Sequence, residues 1–247
     1  EISVRDWSSD VCSSDLSRIE PSRFDSSAVY ITFDGHRNDD FTPYAFVSTD
    51  FGKSFRSIAN NLPRGGPDFV HVIREDPANR DLLFVGTDVG VYVSRDRGAN
   101  WQKFMTNLPT VPVHDLKIHP RERELIAGTH GRSIWIVDIA PLQQVADSVI
   151  AATAYLFQPK TAYQYGQSPL GGGSSGHKVF RAASPPYGAE IAYRLAQGSG
   201  DRRARTNVLI TDVRGDTVRT LTGPATAGLH RVNWDFRGRP PTPSALS

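Results

Sequence analysis

Alternating apolar runs, abundant turn residues and an internal repeat predict an all-β chain: a partial β-propeller of about three four-stranded blades, then a β-sandwich module. Glycine and proline number 21 and 17 in 247 residues, which favours short strands and tight turns over long helices. Residues 44–47 and 91–93 alternate in the manner of strands. Ser48, Asp50 and Gly52 recur as Ser94, Asp96 and Gly98, each set followed by an aromatic residue, Phe55 or Trp101. The copies lie 46 positions apart, and Asn61-Leu62-Pro63 and Asn107-Leu108-Pro109 repeat at the same offset. A period of about 40–50 residues holding several short strands is a propeller signature.

The repeated turn has a local physical basis. Serine and aspartate oxygens accept backbone N–H bonds inside a turn. Gly52 and Gly98 supply a positive φ that other residues resist. Phe55 and Trp101 begin the next strand and pack back over the hairpin, so Asp50 and Asp96 read as structural rather than catalytic. Upstream, residues 70–77 and 82–87 form two strands of one unit, and residues 113–120 and 125–129 form their counterparts in the next. That third unit continues through 133–138 without a Ser-x-Asp-x-Gly turn. The first unit is recognisable from Glu20-Pro21, with residues 28–33 as its second strand.

The two Ser-x-Asp-x-Gly turns, Gly-Thr-Asp-Val-Gly-Val at 86–91 and Gly-Thr-His-Gly-Arg-Ser-Ile-Trp at 128–135 resemble the sortilin-like, BNR/Asp-box repeat proteins of bacteria, often described as glycosyl-hydrolase-like. The resemblance covers residues 17–140 and implies the last blades of a longer propeller, because three blades do not close a ring. It implies a secreted or periplasmic protein; the adapter-like start at residues 6–16 leads to the expectation that a signal peptide was lost with a missing N-terminus. It also implies a scaffold that binds carbohydrate or a protein or peptide. The alternative is a glycoside hydrolase, sialidase- or xyloglucanase-like, with its catalytic site partly on missing blades.

Strand parity locates a candidate site. The Ser-x-Asp-x-Gly turn joins the third and fourth strands of a blade, so the loops joining the second and third open on the opposite face. These loops are 34–43, 87–90 and 129–132. They gather Asp34, His36, Arg37, Asp39, Asp40, Asp88, His130 and Arg132, with His71 and His114 near the same mouth. Asp34, Asp39 and Asp88 are the candidate acids for glycoside cleavage. His36 with Asp39 and Asp40 offers a divalent-cation set whose oxygens favour calcium; no other cofactor is expected. Arg37 and Arg132 are suited to clamping a carboxylate or sugar acid.

Residues 141–150 space their apolar positions as a short helix, and Gly/Ser/Pro-rich sequence runs to 185. Strand signals resume across 186–247, where the pattern resembles the Ig-like module of flagellar hook-capping proteins, cut before a full sandwich is complete. Arg214-Gly215-Asp216 is read as a hairpin tip rather than an adhesion motif. Residues 6–16 resemble a translated sequencing adapter, so 1–16 is set aside as an artefactual or disordered segment. Cys12, the single cysteine, lies there, which removes disulfides and thiolate chemistry from the remainder. A net charge of +2 is too balanced to argue for nucleic acid, and no apolar run is long enough to cross a bilayer.

Overall fold

The computed structural model describes residues 2–3, 15–166, 186–201 and 203–239. The Ser168–Gly176 part of the linker lies outside them. The chain is all-β apart from short helical turns, and it divides into two units, 1–143 and 144–247.

The first unit holds three blade-like antiparallel sheets, a partial β-propeller. Blade one runs from an innermost strand β2 (Asp15–Pro21) through β3 (Val29–Gly35) and β4 (Asp40–Ser48) to β5 (Ser54–Ser57), and β1 (Ile2–Ser3) adds to its outer edge. Blade two is β6 (Val70–Glu75), β7 (Leu83–Thr87), β8 (Gly90–Ser94) and β9 (Gln102–Lys103). Blade three has three strands, β10 (Val113–His119), β11 (Glu124–Thr129) and β12 (Ile134–Asp138). The blades therefore have five, four and three strands rather than four each among the described residues. The fourth strand of blade two follows its Ser-x-Asp-x-Gly turn, and blade three has no such turn.

Period-2 alternation sends the side chains of β6, β7 and β8 in blade two into two different cores. Tyr30, Ala45 and Val47 of blade one meet Ile73, Leu83 and Val85 of blade two. Phe84, Val91 and Val93, on the other face of blade two, meet Val113, Leu116 and Leu125 of blade three. Blade two is thus covered on both faces, and every residue of β7 and β8 is buried.

Three features depart from the sequence expectation. Strand β2 begins at Asp15, inside the segment set aside, with Asp15 and Leu16 opposite Asp34 and Phe33; Ile2 and Ser3 pair with Phe55 and Ser54. Backbone pairing asks little of side-chain periodicity, so these residues were not legible as strand. The long polar loop is shorter than 34–43. Strand β3 runs to Gly35 and β4 starts at Asp40, leaving one 3-10 turn, His36–Asn38, and Asp39 at φ 58°. The helix expected at 141–150 is two separate turns, Ala140–Gln143 and Asp147–Ala151.

The second unit contains a three-stranded sheet, β13 (Ala154–Leu156), β14 (Ala189–Leu195) and β17 (Gly228–Trp234), and a hairpin of β15 (Arg205–Thr211) with β16 (Thr217–Pro224). Tyr193 on β14 donates its hydroxyl to the Pro224 carbonyl at 2.6 Å. Gly223 admits that approach, since a Cβ there would stand 2.2 Å from the Tyr193 oxygen. In the β15–β16 turn the Asp212 carboxylate accepts the N–H groups of Arg214 and Asp216 at 2.9 Å, and Gly215 has φ 90°. The Arg-Gly-Asp tripeptide is thus accounted for as a turn.

Candidate functional site

The site begins with irregularity in the innermost strands. In β2 the register with β3 shifts between Leu16 and Arg18, so Ser17 is the extra residue. In β6 it shifts between Val70 and Val72, around His71. In β10 it shifts between Val113 and Asp115, around His114. A bulge leaves one residue unpaired and re-aims its side chain. The same device, at the same place in each blade, turns two histidines towards the mouth. In blade one the bulged residue is Ser17, whose hydroxyl is spent on Thr32 Oγ1 at 2.8 Å and the Val70 carbonyl at 3.2 Å.

Around these bulges the loops of three blades converge. His36 Nδ1 donates to Asp34 Oδ1 at 2.6 Å, and the His36 backbone N–H donates to the same oxygen at 3.0 Å. The other Asp34 oxygen stands 3.8 Å from His71 Nδ1. His71 Nε2 lies 3.2 Å from Asp88 Oδ1. Asp34 and His71 side chains are each 13% exposed and Asp88 is 29% exposed, so these contacts are partly shielded from water. The His71 and His114 rings are centred 4.4 Å apart, and those of His114 and His130 5.2 Å apart.

Phe69 completes the row. It is buried, stacks on His36 at 4.9 Å and meets His71 edge-on at 4.8 Å. The result is a continuous band of rings, His36–Phe69–His71–His114–His130, with Asp34 and Asp88 on opposite nitrogens of the His71 ring. Partial burial, then the neighbouring His71 and His130, push the His114 imidazole below its ordinary 6.5, against the pull of Asp88 and Asp34. The shift favours the neutral imidazole, which has a lone pair to offer.

The remaining sequence-predicted residues take other places. Asp40 accepts the Tyr44 hydroxyl at 2.7 Å and the Thr42 N–H at 2.9 Å. Burial works to raise its carboxyl, but these bonds outweigh it and hold the group below the usual carboxylate value. Asp39 is exposed and, with residues 40–42 and 65–67, lines an open cleft of about 490 Å³ beside the band. His36, Asp39 and Asp40 do not converge as a ligand set: His36 is turned to Asp34, and Asp40 is occupied by Tyr44. Arg37 is an exposed residue of the 3-10 turn, and Arg132 is exposed in the β11–β12 loop, its carbonyl accepting the Trp135 indole N–H at 2.9 Å.

The two Ser-x-Asp-x-Gly turns lie at the opposite ends of the blades, as strand parity requires. Ser48 donates to Asp50 at 2.8 Å and accepts the Gly52 N–H at 2.9 Å, while Asp50 accepts from Lys53, Ser54 and the Ser54 hydroxyl. Ser94, Asp96 and Gly98 repeat the pattern, with Asn100 in the role of Ser54. Trp101 does more than fold back over its own hairpin. It is buried in the core between blades one and two, donates its indole N–H to Ile58 at 2.6 Å, and has its backbone clamped by Asn61.

Two features escaped sequence reasoning. Phe69 precedes its strand and carries no motif. The buried Arg74 spans all three blades: it binds Glu20 of β2 at 2.7 Å, Asp115 of β10 at 2.9 Å and the Leu116 carbonyl at 2.5 Å. Arg18 of β2 also reaches Asp115. A lone arginine inside an apolar strand pattern was the available signal.

No protein-family model matches the chain. No curated protein matches it either. Among solved structures, the chain is similar to the GH74 xyloglucanase of Xanthomonas campestris, at 13% identity and a TM-score of 0.40 over 50% of this chain and 21% of that one. It is similar to the GH74 enzyme of Niastella koreensis at 14% identity and a TM-score of 0.38, over 90% of this chain and 37% of the enzyme. YCF48 bound to the D1 peptide matches at 14% identity and a TM-score of 0.32, over 85% of this chain and 53% of that one. The chain thus spans about a fifth to about half the length of these structures.

Proposed function

We propose that the chain is part of an Asp-box, BNR-repeat propeller of the sortilin-like type, secreted or periplasmic, whose loop face binds a carbohydrate or a peptide. The second unit is read as an Ig-like spacer or docking module. The observation that carries the reading is the band of rings drawn from three blades. Flat rings offer stacking surfaces to sugar faces or to peptide side chains, and Asp34 and Asp88 offer acceptors for hydroxyl or amide groups. The adjoining cleft gives the ligand a concave seat.

A glycan array and a peptide array, followed by titration of the best ligands, test this. Binding is expected to weaken at least tenfold on Asp34→Asn or His130→Ala, while Asp50→Asn, at the far end of the blade, leaves it unchanged. Ligands that bind all three variants alike would remove the face from consideration. The glycoside hydrolase alternative is met by the same material. Turnover of a polysaccharide or aryl-glycoside panel that disappears on Asp34→Asn, Asp39→Asn or Asp88→Asn would replace the binding reading with an enzymatic one.

A further inference from the structure

We infer that His71, Asp88 and His114 form a binding site for a divalent transition ion of the zinc class. One ligand atom from each residue lies within 4.8 Å of the others, the one such grouping among the described residues. Zinc bonds of about 2.0–2.1 Å in tetrahedral geometry hold neighbouring ligand atoms about 3.3 Å apart. His71 Nε2 and Asp88 Oδ1 already stand at 3.2 Å. The His114 ring is exposed and needs a side-chain swing of roughly 1.5 Å to reach tetrahedral spacing.

The surroundings fit the ion as well. A metal-bound imidazole commonly gives its second N–H to a carboxylate, which fixes the tautomer and raises ligand basicity. Asp34 stands on the Nδ1 side of His71 and is itself held by His36. With Nδ1–H directed to Asp34, His71 presents its Nε2 lone pair towards Asp88. The ion then takes the place of the proton between Nε2 and Oδ1. Two imidazoles and one carboxylate favour zinc over calcium, which prefers six to eight oxygens. Three protein ligands leave the fourth tetrahedral position for water or another ligand. The two bulges put both histidines there, while blade one, with Ser17 at the equivalent place, contributes no ligand.

This site stands whether or not the face binds a glycan or peptide, so its test uses the metal alone. The full chain carrying Cys12→Ser, stripped with chelator, is titrated with zinc against a competing dye, and with cobalt while the visible absorption of a tetrahedral site is followed. One zinc per chain is expected, with calcium failing to compete. His114→Ala, a change at an exposed position, should abolish stoichiometric binding and the cobalt band while leaving the circular dichroism unchanged. Asp34→Asn should weaken zinc roughly 10- to 100-fold, as loss of an outer-shell carboxylate does. Absence of stoichiometric zinc binding, zinc binding indifferent to both His114→Ala and Asp88→Asn, or displacement of zinc by calcium would each overturn the assignment.

Discussion

Asp50 concentrates four acceptor contacts on one partly exposed carboxylate, and its acidity follows from them. The Ser54 hydroxyl and N–H, then Ser48 and Lys53, hold the carboxyl well below its ordinary 3.8. A depressed native value means that folding favours the ionised form, so the stabilisation is complete above pH 3.8 and disappears as pH falls through the native value. Asp50→Asn should therefore lower stability at neutral pH and flatten its acid limb between about pH 4 and pH 2. Urea midpoints across that range measure this, and an unchanged slope would show that the turn does not tune the carboxylate. The paired glycines give a second test. Gly52 and Gly98 both sit near φ +80°, but a Cβ on Gly52 would be 3.9 Å from its nearest contact, whereas one on Gly98 would stand 2.9 Å from Ile58 Cβ. Gly52→Ala should cost about 1 kcal/mol of backbone strain. Gly98→Ala adds overpacking and should cost about 2–4 kcal/mol. Equal losses in denaturant unfolding would mean that Ile58 yields freely.

Between blades, the innermost strands are joined by charge as well as by apolar packing. Arg74 is buried, and its fork serves Glu20, Asp115 and the Leu116 carbonyl together. Removing Arg74 takes away the guanidinium that serves Glu20 and the Leu116 carbonyl, while Asp115 keeps Arg18, and Arg74→Ala is expected to cost about 3 kcal/mol, the low end for such pairs because Asp115 is half exposed and retains that partner. Arg74→Lys should recover little, since one ammonium cannot serve three directions with the geometry of a guanidinium. Full rescue by lysine would show that charge alone matters there. The strands of this unit were legible because alternation and turn chemistry are local: 70–77 and 113–120 match β6 and β10 within two residues. The bulges were not, because register is a property of two strands. Strand parity accordingly gathered His71, Asp88, His114 and His130 on one face, yet gave no means of seeing that His71 would stand between two carboxylates. Asp39 and Asp40 were over-read for the converse reason. Their density in sequence suggested a ligand set with His36, while His36 turns to Asp34 and the Tyr44 hydroxyl occupies Asp40.

At the scale of the propeller unit, the three blades differ in how completely they are covered. Blade two is enclosed on both faces, but β12 exposes Ile134 at 67% and Ile136 at 60%, on one side of its pleat. Blade one exposes Leu16 at 49% and Ile19 at 54% on its innermost strand. A strand of blade two is buried on every residue because a neighbouring blade lies against each face. The sequence of β12 carries the same apolar alternation without a second neighbour among the described residues. Burying one such isoleucine is worth roughly 2 kcal/mol, and two on one flat strand make a surface that another chain can cover. The chain as it stands is therefore expected to self-associate in a concentration-dependent way. Ile134→Lys combined with Ile136→Lys should shift it towards monomer. The melting temperature at low concentration should hardly change, because neither side chain contributes to the cores between blades. Sedimentation velocity across a hundredfold concentration range reads both results. A wild-type chain that stays monomeric throughout would mean that these isoleucines tolerate water without recruiting a partner, and the lysine variant would then have nothing to correct.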